Sequence, residues 1–297
     1  MTAGILAANP MRLLSPRELA EALGVSESSL KRWVDAGKIQ ASRTDGGHRK
    51  ILLSEAVRFI RETGAPIARP ELLDLPEVAV AQQRGLGGTV RLLDHLLEGD
   101  VVGARGWLMS RYLAGASIAE LCDGPIKDAM YRLGELWRHD EGGIFVEHRG
   151  TDVCLQALAQ LRALHDPPEE APTALGGAPD GDPYLLPSFM AATVTAAAGM
   201  RAVNLGPDTP LVAFDAAVQH HAPRLVWVSI SSPLSPARVR GLIDWIEALP
   251  GSVLPIVGGQ QSSPFAGAHA HASFRHVHSM AEVEAIAREV LDAAAPA

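Results

Sequence analysis

The sequence predicts a multidomain protein of α and α/β class, composed of a helix-turn-helix head, a four-helix bundle and an open parallel sheet of the Rossmann type. Three blocks predict it. Residues 1–64 are basic and contain two short capped helices, residues 76–165 have helical periodicity, and residues 172–297 alternate short apolar runs with amphipathic stretches. Pro-rich stretches at 65–70 and 166–172 separate these blocks. A length of 297 residues allows two or three domains.

The charge of the chain is divided unevenly. The whole chain has a net charge of -8, which by itself argues against a nucleic-acid partner. Residues 1–64, however, hold 10 Lys and Arg against 7 Asp and Glu, a net charge of +3, and the remainder carries -11. This asymmetry indicates that a basic head alone binds nucleic acid.

Composition excludes several classes of protein. Hydrophobic residues make up 47% and charged residues 20%, which is typical of globular domains and not of a disordered tail. Cys122 and Cys154 are the two cysteines, too few for a disulfide framework or a four-cysteine zinc site. We expect both cysteines to be small buried hydrophobic residues. The alternative that stays open is that one of them attaches a ligand covalently. The longest weakly apolar run, Phe189–Met200, is too short to span a bilayer, and no signal-peptide pattern is present, so we expect a cytoplasmic protein without a membrane partner.

The head has the local signals of a helix-turn-helix. Ser15 precedes Pro16 and is followed three residues later by Glu18, which is the pattern of a capped helix start. A glycine turn follows, and Ser26 caps a second helix. Two short helices joined by such a turn are typical of a helix-turn-helix. Arg43–Ile51 then forms a glycine hairpin flanked by basic residues.

The Arg-Thr-x-Gly-Gly-His-Arg hairpin after these helices resembles the wing of the MerR family of DNA-binding proteins, over residues 11–64. The resemblance implies that the second helix enters the major groove of operator DNA and that the wing contacts the backbone or the minor groove. The residues so assigned are Ser29, Lys31 and Arg32 on the helix and Arg43, His48 and Arg49 on the wing. Because one head makes few contacts, stable binding implies a homo-oligomer, a dimer or a tetramer, on repeated half-sites.

The middle block, residues 76–165, predicts the four-helix bundle. An apolar stripe recurs at helical spacing, formed by Leu92, Leu93, Leu96 and Leu97. Four helical segments fit, near 77–97, 99–113, 117–138 and 144–164, which is the pattern of a bundle.

Trp137 and the pair Glu147 and His148 are separated by nine residues in this block. The spacing resembles the Trp-x9-Glu-His feature of CarH-type cobalamin photoreceptors, which implies a helical bundle that caps the upper face of the cofactor. That family has a cobalt-ligand histidine immediately after the tryptophan. Here this position is Arg138, which cannot ligate cobalt, and His139 lies one residue further.

The last block, residues 172–297, resembles the cobalamin-binding Rossmann module. That module carries the spaced signature Asp-x-His-x-x-Gly, Ser-x-Leu and Gly-Gly. The corresponding residues are Asp182, Tyr184 and Pro187, then Ser229 and Ser231, then Gly258 and Gly259, separated by intervals of 41 and 26 residues. The resemblance implies that the glycine pair lets the backbone approach a flat macrocycle. The signature histidine, which is the lower cobalt ligand in that family, is replaced by Tyr184.

Because both cobalt-ligand histidines are absent, three cofactor states stay open. A metal-free tetrapyrrole such as a biliverdin-like bilin is favoured, since it needs no axial ligand and its propionates would pair with Arg138, His139 and His148. Tyr184 would contact this ring from below. Cobalamin bound without a protein histidine is the alternative, and the third state is no chromophore. We expect no metal site, including at the loose cluster formed by His269, His271, His276 and His278.

The expected function is a DNA-binding transcriptional repressor that responds to light or to a ligand. The resemblance implies that the tetrapyrrole lies between the helical bundle and the Rossmann domain, and that a change of oligomeric state alters operator binding. We expect no enzyme activity, because no barrel-sized catalytic domain is evident. A cobalamin-dependent enzyme component and a chromophore-free regulator that acts through a protein partner remain as alternatives.

Overall fold

The structure is a computed structural model that describes residues 12–43, 46–83, 91–137, 142–266 and 274–294. The chain divides into two compact units, Met1–His165 and Asp166–Ala297. The first unit contains the helix-turn-helix head and the helical block, and the second contains the parallel sheet. Each unit is described separately.

The head is formed by short helices and a small antiparallel sheet with the strand order β1-β3-β2. Its elements are β1 (Leu13–Leu14), α1 (Pro16–Leu23), α2 (Glu27–Asp35), β2 (Ser42–Arg43), β3 (Arg49–Leu52) and α3 (Leu53–Thr63). The predicted cap is confirmed, because Ser15 and Glu18 form a reciprocal capping box at the start of α1. Gly24 ends this helix at a φ of 67°, a left-handed conformation that glycine adopts without strain. Leu19 and Leu30, both fully buried, form the inner face of the two helices.

The helical block follows a 3₁₀ turn at Pro70–Leu73. Its helices are α4 (Pro76–Gln83), α5 (Leu92–Glu98), α6 (Val101–Leu113), α7 (Ile118–Leu121), α8 (Lys127–Trp137) and α9 (Gly142–Arg162). The long helix α9 packs against α5, α6 and α8, and α4 packs against α6. The predicted helix over 117–138 is interrupted by a π-helical segment, Cys122–Ile126. Pro125 lies inside that segment and has no backbone N–H, so it cannot continue the regular α-helical bonds.

The second unit is an open sheet of five parallel strands flanked by helices. Its elements are β4 (Thr173–Gly177), α10 (Leu185–Ala198), β5 (Arg201–Asn204), α11 (Leu211–His221), β6 (Leu225–Ser229), α12 (Pro236–Glu247), β7 (Leu254–Gly258), α13 (Ser263–Ala266), β8 (Arg275–Val277) and α14 (Met280–Ala294). The strand order is β5-β4-β6-β7-β8, which confirms the predicted Rossmann-type sheet.

Two faces of this sheet are covered by different helices. Val226 and Val228 of β6 belong to the apolar core that also contains Phe214 of α11 and Leu242 of α12. Trp227 points to the opposite face, where its indole contacts α10. Helix α10 packs against α14 and against β4, β5 and β6. Burial on both faces explains why β4 and β6 are buried along their whole length.

The strand order changes direction between β4 and β6. From β4 the chain proceeds to β5 on one side and then crosses to β6 on the other side. In open parallel sheets, ligands bind outside the carboxyl ends of the strands at such a switch point. The loops that follow β4 and β6 therefore form the candidate ligand edge of the second unit.

Candidate functional site

The second helix of the head presents a polar surface. Ser26 caps α2, because its hydroxyl accepts a hydrogen bond from the Ser29 backbone N–H at 3.1 Å. The Arg32 guanidinium donates to the Ser29 hydroxyl at 3.1 Å. Lys31 forms an exposed ion pair with Glu27 at 2.9 Å. The three predicted groove residues, Ser29, Lys31 and Arg32, therefore lie on one exposed helix whose inner side is held by buried Leu30.

The predicted wing is the hairpin of β2 and β3, in which Arg43 lies opposite Arg49. Arg43 and His48 have exposed side chains, whereas Arg49 forms a 2.6 Å ion pair with Asp35 at the end of α2. Arg49 thus joins the wing to the second helix, a role that the sequence pattern did not indicate. Residues 44–45 of the hairpin lie outside the described residues.

In the helical block, Glu147 and His148 are neighbours on α9. The Glu147 carboxylate accepts a hydrogen bond from the Thr151 hydroxyl at 3.0 Å, and the His148 side chain is 76% exposed. Trp137 is the last residue of α8, but its side chain is outside the described part of the structure, as are Arg138 and His139. The structure therefore shows two of these five predicted cofactor residues with their side chains.

At the carboxyl edge of the sheet, Asp182 connects the two loops of the switch point. Its side chain is fully buried. One carboxylate oxygen accepts hydrogen bonds from the backbone N–H groups of Ser231 and Ser232, at 2.5 and 3.0 Å, and the other accepts from the Tyr184 N–H at 3.1 Å. These bonds fix the loop after β4 against the loop after β6. A carboxylate that accepts several backbone amides is a strong local clamp.

Tyr184 lies at this edge, immediately before α10, with 48% of its surface exposed. Its phenol stands where the family signature has an imidazole. Pro187 is in the first turn of α10, where the missing N–H of a proline removes no helical hydrogen bond. Both departures from the signature are thus accommodated without a break in the helix.

The glycine pair after β7 is required by the packing of the sheet itself. A Cβ at Gly258 would lie 2.8 Å from a methyl group of Val277, and a Cβ at Gly259 would lie 2.2 Å from the carbonyl oxygen of Ile230. Gly259 also has a φ of 115°, which side chains rarely adopt. Ser229 and Ser231, at the end of β6 and just beyond it, are buried beside the clamp.

Below this edge, on the face covered by α10, Trp227 occupies the space beside β4. A Cβ at Gly176 would lie 2.3 Å from the Trp227 ring. The indole N–H donates to the Ser188 hydroxyl at 3.1 Å, and that hydroxyl donates to Asn204 at 2.7 Å. The buried polar groups of Trp227, Ser188 and Asn204 are thus hydrogen-bonded to one another. The sequence pattern did not single out these residues, because their contacts join three separate elements.

These observations test whether the edge fits a corrin ring. The loops that Asp182 joins follow β4 and β6 at the switch point, which is where ligands bind in open parallel sheets. The loop after β4 does not fit a cobalt ion that requires a histidine from the protein, because it provides the Tyr184 phenol in place of an imidazole nitrogen. The edge therefore fits a corrinoid whose lower ligand is not supplied by this loop.

The two cysteines are buried inside the helical block. Burial raises the pKa of the Cys154 thiol to about 12 and raises that of Cys122 as well. A thiol with a raised pKa is a poor nucleophile, so both behave as small buried hydrophobes. Within the described ranges, no group of three or more His, Cys, Asp and Glu side chains is arranged to hold a metal ion. His269 and His271 fall outside those ranges. None of the described helices has the length and apolarity needed to cross a membrane.

Two family models match this chain. A helix-turn-helix domain matches residues 13–64, and a B12 binding domain matches residues 90–162. The first covers α1 and α2 with the wing, and the second covers α5 to α9 of the helical block. The chain therefore combines a DNA-binding type of domain with a cobalamin-binding type of domain. No curated protein matches the chain.

One solved structure, with a TM-score above 0.5, shows the same fold as this chain. The monomethylamine corrinoid protein of Methanosarcina barkeri is 20% identical, with a TM-score of 0.51, over 67% of this chain and 96% of that chain. The methanol:cobalamin methyltransferase complex of Methanosarcina barkeri is 18% identical over 71% of this chain and 83% of that chain, with a TM-score of 0.36. A cobalamin-binding protein of Desulfitobacterium hafniense is 18% identical over 67% of this chain and 96% of that chain, with a TM-score of 0.36.

The expectation of a bilin is wrong. The B12 binding domain match and the fold shared with a corrinoid protein point to cobalamin. The bilin prediction relied on the absence of two cobalt-ligand histidines, at Arg138 and Tyr184. Since cobalamin carries a benzimidazole that can ligate its own cobalt, that absence does not exclude a corrin ring.

Proposed function

We propose that this chain is a transcription regulator whose binding to operator DNA responds to cobalamin. The observation that carries the proposal is the presence, in one chain, of a helix-turn-helix domain and a B12 binding domain. The well-formed head supports it, since two capped helices and a basic wing are the parts that a DNA-reading module needs. A catalytic role is not part of this proposal.

In this proposal the exposed face of α2 reads base edges through Ser29, Lys31 and Arg32, and Arg43 and His48 of the wing contact phosphates. Arg49 acts mainly through Asp35, by holding the wing against α2. The proposed regulator is of the MerR type, resembles the CarH photoreceptors and represses transcription. Light or the binding of cobalamin changes its oligomeric state. Because a dimer or tetramer binds several half-sites at once, DNA affinity rises steeply with the number of subunits in the oligomer.

The cobalamin binds without a histidine from the loop after β4. Tyr184 stands at the ligand position of the signature, so this loop would supply no imidazole nitrogen to the cobalt of a bound cobalamin, which carries its own benzimidazole. Asp182 holds this loop against the loop after β6, where the backbone of Ile230 packs on Gly259. When bound, cobalamin would supply a light-sensitive cobalt–carbon bond to the regulator.

The test measures DNA binding with and without cobalamin. Duplexes are first selected from a random pool with the full-length protein, and their Kd is then measured by fluorescence anisotropy. The measurement is repeated with adenosylcobalamin, in darkness and after green light. We expect cobalamin to change the Kd, and Arg32→Ala to weaken binding under all conditions. A Kd that is the same with and without adenosylcobalamin would contradict the proposal.

A spectroscopic test addresses the lower ligand. The protein is produced with histidine labelled with heavy nitrogen and loaded with cob(II)alamin, and its electron paramagnetic resonance spectrum is compared with that of unlabelled protein. We expect the same nitrogen superhyperfine splitting of the cobalt lines with and without the label, because no protein histidine binds the cobalt. A pattern that changes with the label would show that a histidine is the ligand.

A corrinoid-carrying enzyme component is the second candidate, favoured by the fold shared with the monomethylamine corrinoid protein. Such a component would pass a methyl group between partner enzymes and would not need the head. Arg32→Ala in the full chain would leave its corrinoid chemistry unchanged, whereas the regulator would lose sequence-specific DNA binding.

A further inference from the structure

Arg61 connects the last helix of the head to the helical block. It lies on α3, and its guanidinium donates hydrogen bonds to the carbonyl oxygens of Tyr112, of Ala116 at 2.9 Å and of Gly115 at 3.5 Å. These carbonyls lie at the carboxyl end of α6 and just beyond it. Helix ends of this kind have carbonyl groups without helical partners and a partial negative charge, so they bind a cation well.

Tyr112 contacts Arg61 through the face of its ring and His165 through its hydroxyl group. The Arg61 guanidinium lies 3.7 Å from the centre of its ring, and the ring is 6% exposed. Its hydroxyl forms a hydrogen bond with Nε2 of His165 at 3.2 Å. Burial, with Arg162 and Arg61 nearby, lowers the pKa of His165 to about 4, so this imidazole is neutral near neutral pH. The phenol and the imidazole therefore form a neutral hydrogen bond.

His165 lies at the boundary between the two units of the chain. His165 is the last residue of the first unit, and Asp166 begins the second. Arg61 is two residues before the end of α3, the helix that directly follows the wing strand β3. Side-chain contacts thus run without interruption from the end of the first unit, through Tyr112, to the DNA-binding head.

We infer that Arg61 and Tyr112 are positioning residues, which fix the head on the helical block and pass a displacement of the chain at His165 to the head. The part of this inference that concerns the cobalamin signal rests on the proposed function. The part that concerns the attachment of the head to the helical block rests on the geometry of the first unit. In it, the cation and ring do not touch DNA. They set the orientation in which α2 and the wing are presented.

A second contact keeps the head joined to the segment that follows it when Arg61 is removed. The backbone N–H groups of Ala68 and Arg69, in the segment after α3, donate to the carbonyl oxygen of Ala22 at 2.8 and 3.0 Å. Arg69 also forms exposed ion pairs with Glu21 and Glu71. Loss of Arg61 therefore leaves the head folded and joined to this segment, and frees only its orientation.

The first experiment measures that orientation without cobalamin. Spin labels are attached at Lys38→Cys on the head and Lys127→Cys on α8, both exposed positions, while Cys122 and Cys154 are too buried to react. Distances are measured by double electron–electron resonance in the full chain. We expect one narrow distribution in the parent and a broad one in Arg61→Ala.

Three further variants refine this measurement. Arg61→Lys should give an intermediate width, because an ammonium group cannot reproduce the planar guanidinium contacts. Tyr112→Phe keeps the ring and the carbonyl groups that Arg61 contacts and removes only the bond to His165, so its distribution should stay as narrow as that of the parent. Arg69→Ala is the matched control and should stay narrow, since its ion pairs are exposed. A distribution in Arg61→Ala as narrow as in the parent would overturn the positioning role.

The second experiment measures the coupling. Allosteric ligands typically change affinity by about 5- to 150-fold, and we expect Arg61→Ala to reduce the cobalamin-dependent ratio of DNA Kd values to below about twofold. The Kd without cobalamin is measured in parallel, because a head with a broadened orientation weakens DNA binding with and without cobalamin, whereas the ratio of the two Kd values reports the coupling. A variant that keeps the parental ratio overturns the inference. A parent without any cobalamin effect contradicts the proposed function instead, and the distance measurement then still decides the attachment.

Discussion

Glu77 and Gln160 form a polar pair inside the apolar helical block. Both side chains are almost fully buried, and the Gln160 amide donates to one carboxyl oxygen of Glu77. The other oxygen of each group, Oε2 of Glu77 and Oε1 of Gln160, is buried without a hydrogen-bond partner. A protonated carboxyl would donate from Oε2 and could satisfy both atoms as an acid–amide pair. The geometry therefore favours the neutral form of Glu77.

This pair predicts a pH-dependent stability. Burial raises the pKa of Glu77 above its ordinary value of 4.5, although Gln160 and Arg105 oppose the shift and Asp74 adds to it. Because the folded pKa is the higher one, the stabilisation is complete below pH 4.5 and is lost as the pH rises through the folded pKa. Glu77→Gln should remove this loss. The check is urea unfolding followed by circular dichroism from acidic to neutral pH, with the exposed Glu98→Gln as the control.

Removing Gln160, the hydrogen-bond partner of Glu77, should also lower the stability. Gln160→Leu leaves a buried carboxyl oxygen without its donor and should cost about 1–3 kcal/mol of unfolding free energy. If Glu77→Gln and the parent lose stability equally as the pH rises, Glu77 does not titrate in the way that its burial indicates.

At the scale of elements, the close contact of α4 with α6 depends on a glycine. A Cβ at Gly106, in the middle of α6, would lie 2.3 Å from the backbone carbonyl oxygen of Glu77. Helix interiors otherwise disfavour glycine by about 1 kcal/mol relative to alanine. The packing of two helix backbones, and not helix propensity, therefore explains the residue at this position.

Two glycine substitutions separate these effects. Gly106→Ala should destabilise the first unit by about 1–3 kcal/mol, because the added methyl group forces the helices apart. Gly134→Ala, on α8, has no atom within 4 Å of the added Cβ and should stabilise it by up to about 1 kcal/mol. Urea unfolding midpoints measure both changes. Shifts of the same sign would mean that propensity dominates at both sites.

At the scale of the whole molecule, charge is distributed by block. Residues 1–64 carry +3, residues 65–165 carry -4 and residues 166–297 carry -7. Phosphate contacts are therefore favourable for the head, whereas the acidic remainder is repelled by DNA. A DNA complex made by such a chain concentrates its electrostatic contacts in the head.

Salt dependence measures how many phosphates the head neutralises. The logarithm of DNA affinity should fall linearly with the logarithm of salt concentration, and Arg43→Ala should reduce that slope by about 1 if the side chain contacts one phosphate. Arg288→Ala, an exposed cation on α14 of the acidic second unit, is the control and should leave the slope unchanged. Equal slopes for the parent and Arg43→Ala would show that the wing arginine contacts no phosphate.

The sequence by itself determined the features that depend on neighbouring residues. The capping box of Ser15 and Glu18, the cap at Ser26 and the alternation of strands and helices after residue 172 all follow from spacings of a few residues, and the structure confirms them. It did not determine the cofactor. The absence of ligand residues at Arg138 and Tyr184 suggested a bilin, but a missing side chain does not identify the ring that binds.

Only the tertiary structure decided which distant residues meet. Asp182 is 49 residues from Ser231, yet its carboxylate accepts that backbone amide, and Arg61 reaches carbonyl groups more than 50 residues further along the chain. Trp227 fills the space beside Gly176 because β6 is the neighbour of β4. Strand order and helix packing bring these groups together, and neither is encoded in a local pattern. Local hydrogen bonds set the elements, whereas burial of apolar surface over the whole unit sets the contacts between them.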